Sequence, residues 1–71
     1  LAIYSAVKSP EIYILHMLNS ISRIEQYTRD ISEEEFYTNF LIQDAVIRNI
    51  QVIGEASKKF EESFKESNLH I

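Results

Sequence analysis

The chain has 71 residues and a net charge of −4, 45% of its residues are hydrophobic, and it contains one glycine, one proline and no cysteine. This length allows one domain at most, and a lone monomer would bury only roughly 60% of its unfolded surface. The composition excludes disorder, a disulfide framework and a turn-rich β fold, and the acidic balance argues against a general electrostatic grip on nucleic acid.

No apolar run approaches the ~20 residues that a membrane-spanning helix needs. The start, LAIYSAVKSPE, lacks the basic region and long apolar core of a signal peptide. The expectation is a cytoplasmic protein with no membrane partner. Residues Leu1 to Lys8 read as one helical turn, part of a preceding helix or an expression remnant. The absence of an initial methionine reads as a fragment or a processed product.

Ser9-Pro10-Glu11 is a helix start: a capping serine, a proline suited to the first turn, and an acid that complements the helix dipole. The first helix is expected over 10–29. Its apolar face is read as Ile14, Met17, Leu18, Ile21, Ile24 and Thr28, with His16, Asn19, Arg23 and Gln26 opposite. His16 has no second ligand or orienting carboxylate nearby and reads as a solvent-facing side chain.

A short helix is expected over 32–38. Ser32 with Glu35 forms a capping box, and Ile31 with Phe36 the matching hydrophobic staple. Glu33, Glu34 and Glu35 answer the helix dipole rather than a metal, since adjacent helical residues do not face one point. The short helix should end near Thr38 or Asn39, in a kink or tight joint.

The central helix is expected over 40–66. At ~100° per residue, Ile42, Val46, Ile53, Ala56 and Phe60 fall on one line. Asp44, Arg48, Gln51 and Glu55 form a narrow polar ridge opposite, with Asp44 and Arg48 spaced as an ion pair. Apolar residues wrap well over half the circumference, more than a surface helix of a monomer needs, so self-association is expected. Asn49 projects from the apolar side and is expected to bond a neighbouring helix or cross an interface. Gly54 costs ~1 kcal/mol against alanine, and close approach of another helix is the expected reason. Ser67-Asn68 looks like a helix end, and His70 has no assigned role. Zinc-ligand spacing, a phosphate-binding glycine loop and a serine–histidine nucleophile pattern are all absent from the sequence. No cofactor, metal ligand or catalytic residue is assigned.

The central stretch carries a resemblance. Gln43-Asp44-Ala45-Val46-Ile47-Arg48-Asn49-Ile50, then Ile53-Gly54-Glu55-Ala56 and Lys58-Lys59, resembles the HepT-like family of the HEPN superfamily. Tyr13 to Leu18, Ile21, Ile24, Glu25 and Tyr27 resemble its first helix, and the Phe36 segment its short helix. The likeness covers about Pro10 to Phe60. It implies an all-α antiparallel helical bundle, incomplete at its C-terminus here, that forms a homodimer. It also implies the toxin half of a toxin–antitoxin pair, with an MntA-type nucleotidyltransferase as antitoxin and metal-independent RNA cleavage as the activity.

In the family the chemistry rests on an Arg-x4–6-His motif downstream of the central helix. Arginine would stabilise charge on the phosphate, and histidine would transfer protons. Here Arg23, Arg29 and Arg48 have no histidine five to seven positions on. RNA binding and cleavage are therefore expected to depend on a segment absent from these residues. Asp44, Arg48, Asn49, Gly54 and Glu55 form the candidate cleft or interface set. A solvated salt-bridge ridge is the competing reading for Asp44 and Glu55. The alternative function is a non-catalytic dimerisation or antitoxin-binding module.

Overall fold

A computed structural model describes residues 10–69, with side chains described through Glu66. The Ser9 cap, the Leu1–Lys8 segment and His70 lie outside the described residues. Three helices follow one another: α1 over Pro10–Thr28, α2 over Glu33–Thr38 and α3 over Phe40–Leu69. The described residues contain no strand. The fold is all-α and consistent with the HEPN-type helical arrangement. α3 continues past the end expected at 66–68.

α1 and α3 form the main packed pair, and α2 packs on α3. Tyr13, near the start of α1, lines one cleft with Lys59, Glu62 and Glu66 of α3. The start of α1 therefore lies against the end of α3, and the two helices run antiparallel. The molecule is long and thin, 51 × 20 × 14 Å, with a radius of gyration of 15.9 Å. A compact chain of this length would have about 11 Å.

On α3 the expected line holds its place. Ala56 is buried, and Ile42, Val46, Ile53 and Phe60 are half-buried. On α1 the packed stripe is rotated from the expected one. Ser20 is buried at its centre, with Tyr13, Met17 and Ile24 half-buried along it. Ile14, Leu18 and Ile21 remain 39%, 56% and 44% exposed. The reason is steric. Interaxial distance depends on the side chains at the contact, and the small Ser20 and Ala56 let the two axes approach. One partner helix covers only a narrow stripe, so the rest of the α1 apolar surface stays open. No large side chain is fully buried among the described residues.

Candidate functional site

The joint between α2 and α3 is rich in hydrogen bonds. Ser32 has extended backbone (φ −77°, ψ 164°), and its Oγ accepts from the Glu35 N–H at 3.1 Å. The Ser32 hydroxyl donates in turn to Glu35 Oε1 at 3.3 Å. Tyr37 donates its hydroxyl to Glu33 Oε1 at 3.1 Å. Two of the three glutamates are thus engaged locally, and no His/Asp/Glu group among the described residues is arranged to hold a metal ion.

Asn39 serves both helices. Its N–H donates to the carbonyls of Glu35 (3.0 Å) and Phe36 (3.4 Å), closing α2. Its side-chain Oδ1 accepts from the Ile42 N–H at 3.1 Å, opening α3. Gln43 completes the joint. Its amide donates to Phe36 O at 2.8 Å and Tyr37 O at 3.0 Å, satisfying carbonyls that a helix end leaves orphaned. Sequence reading placed the joint near Thr38 or Asn39 but missed the double capping role of Asn39 and the bonds of the Gln43 amide. The available signal was an asparagine three positions before Ile42, a favoured N-cap.

The five candidate residues do not converge on one point. Asp44, Arg48 and Glu55 lie exposed on a single ridge of α3. The expected Asp44–Arg48 ion pair does not close. The ion pair present among the described residues joins Lys65 to Glu61 at 3.1 Å. Holding two exposed long side chains together gains little net energy. Asn49 is buried against α1, about 140° round the helix from Asp44. Its amide does not reach another helix. It donates to Ala45 O at 2.9 Å within α3, and that bond removes the need for an outside partner. Gly54 corrects a second expectation. A Cβ built there meets nothing within 4 Å among the described residues, so neither α1 nor α2 approaches it closely.

Gly54 instead shares a stripe with Ile47 and Ile50, which are 52% and 55% exposed. Phe36, Tyr37, Val46, Ile47 and Ile50 line an apolar groove between α2 and α3. Helical phase and antiparallel order put Ile14, Leu18 and Ile21 of α1 on the same side of the hairpin. The result is one broad apolar face that the described residues leave uncovered. His16 is exposed, with its ring edge-on to Tyr13 at 6.3 Å. Among the described residues no helix is long and apolar enough to cross a membrane.

A family model described as "Ribonuclease HepT-like" matches residues 17–70. This chain belongs to the HepT-like ribonuclease family. Among curated proteins, this HepT-like chain is 48% identical to a gamma-glutamylcyclotransferase and putative RNase of Methanocaldococcus jannaschii, over 90% of the chain and 29% of that protein. It is 40% identical to a probable ribonuclease HepT of Thermococcus cleftensis, over 90% of the chain and 58% of the relative. A further putative RNase of Methanocaldococcus jannaschii is 39% identical over 83% of the chain and 51% of the relative. The HepT-like chain thus spans between under a third and just over half the length of these relatives. No solved structure is a significant match.

Proposed function

We propose that the chain is a single helical domain of a HepT-type endoribonuclease, the toxin half of a toxin–antitoxin pair that works in the cytoplasm as a homodimer. The observation that carries this reading is the family match over 17–70, joined by relatives named as ribonucleases. The residues described here supply scaffold and interface rather than reacting groups. His16 precedes every arginine of the chain, so no Arg-x4–6-His pair can form around it. Cleavage would be metal-independent, with an MntA-type nucleotidyltransferase as the silencing partner. The test is RNA cleavage, with EDTA present, by a longer protein that carries this domain together with an Arg-x4–6-His segment. Cleavage that persists in EDTA is the expected result. Cleavage that stops on chelation and returns with a divalent ion overturns the metal-independent part.

A second reading is a non-catalytic module that binds a second copy or the antitoxin. The broad uncovered apolar face favours it, as does the placement of buried Asn49 on a different face of α3 from the Asp44, Arg48 and Glu55 ridge. Protein that binds the nucleotidyltransferase yet leaves RNA intact would select this reading.

A further inference from the structure

The charges of this acidic chain are segregated around the α1–α3 pair. Arg23 lies about 60° round α1 from buried Ser20, on the side away from Ile21. Glu11 and Glu25 stand seven residues either side of Leu18, which puts both acids of α1 with the apolar face. On α3, Arg48 and Ile50 flank buried Asn49, about 100° to either side. Arg23 and Arg48 therefore rise on the two lips of the face opposite the broad apolar one. Tyr27 is fourteen residues past Tyr13, and Arg48 is fourteen before Glu62. Tyr13 and Glu62 share a cleft, so antiparallel order brings Tyr27 level with Arg48, one turn beyond Arg23. Both arginines are exposed, and the Tyr27 ring is 37% exposed. Among the described residues none of the three makes an ion pair, hydrogen bond or ring contact.

We propose that Arg23, Tyr27 and Arg48 hold a single-stranded stretch of RNA, with the two guanidinium groups on phosphates and the Tyr27 ring under a base. This rests on the ribonuclease reading above and assigns positioning residues outside any Arg-x4–6-His segment. A guanidinium matches phosphate oxygens with paired, charge-assisted hydrogen bonds. A part-exposed ring offers one face to a base, and stacking tolerates any sequence. A duplex keeps its bases stacked on one another, so an unpaired strand suits the ring better. The net charge of −4 keeps the grip local. Asp44 and Glu55 border Arg48 on the outer ridge of α3 and repel a strand that strays from the arginines.

The test measures binding of a short labelled single-stranded RNA to the purified protein by fluorescence anisotropy, with circular dichroism as a check on folding. Arg23→Gln and Arg48→Gln should each weaken binding and lower the slope of log affinity against log salt by about 0.7. Tyr27→Ala should weaken it about tenfold, and Tyr27→Phe should bind like the parent. Glu55→Gln should tighten it. Lys58 is exposed on the far side of α3 from α1, so Lys58→Gln makes the same charge change away from this face and should cost little. A folded parent that binds no RNA, a Tyr27→Ala variant that binds like the parent, or a Lys58→Gln loss equal to the arginine losses overturns the assignment. Polyglutamate that displaces the strand as well as unlabelled RNA does also overturns it, since the face would then fit an acidic protein. In a longer protein that carries an Arg-x4–6-His segment, the arginine variants should raise KM and leave kcat near the parent value. Cleavage there with KM unmoved overturns the surface and leaves the ribonuclease reading standing, whereas RNA left intact by the unaltered longer protein overturns that reading.

Discussion

The side-chain amide of Gln43 donates to the carbonyl oxygen of Phe36 at 2.8 Å, tying the second turn of the long helix to the end of the short one. The same amide reaches Tyr37 O. Gln43→Met keeps the length of the side chain and removes the donor. It should destabilise the fold by about 1–2 kcal/mol, the worth of two hydrogen bonds to half-exposed carbonyls. Chemical denaturation measures the loss. Amide exchange should localise it, with faster exchange over 33–39 than over α1.

Ser32→Ala removes the acceptor for the Glu35 N–H and the donor to Glu35 Oε1. The expected cost is about 1 kcal/mol. Ser32→Asp should restore most of it, since a carboxylate also caps and complements the dipole. Thermal unfolding of the three proteins orders them, and an alanine variant as stable as the parent would contradict the capping role.

Gly54→Ala tests the open space beside α3. Among the described residues the new methyl meets nothing within 4 Å and removes a helix-interior glycine, so the fold should gain about 1 kcal/mol. Thermal unfolding should therefore show a midpoint above that of the parent, and an unchanged or lower midpoint would contradict the open space beside Gly54.

Asn49 is buried, but its bond stays inside α3. Asn49→Ala leaves Ala45 O with its ordinary helix partner and creates a small cavity. The loss should be about 1–2 kcal/mol. Because the amide does not cross an interface, the dimer dissociation constant should stay close to that of the parent. Denaturation and sedimentation of the one variant check both statements.

Several features were legible from residue order alone. The capping pair at Ser32 and Glu35 and the line Ile42–Val46–Ile53–Ala56–Phe60 are local, periodic signals, and the all-α class follows from them. What escaped was the phase of α1. Ile14, Leu18 and Ile21 are more hydrophobic than Ser20, and periodicity weights hydrophobicity rather than size. The contact chose the smallest side chain, because close approach of two helix axes rewards it. The spacing Tyr13, Met17, Ser20, Ile24 carried that information. Asn49 misled for a related reason. A buried amide needs a partner, but sequence does not say whether it is a neighbouring helix or the residue's own preceding turn. Gly54 marked a close approach that none of the described helices makes.

Asn39 ends one helix with its backbone and begins the next with its side chain, so no spare residue separates them. This leaves the corner without slack. One inserted residue would turn everything after it by about 100° relative to everything before it. Gln43 would then point away from the carbonyls it holds. Length variation among related chains should therefore gather in the turn at Arg29 and Asp30 and avoid this corner, where spacing is fixed more tightly than residue identity.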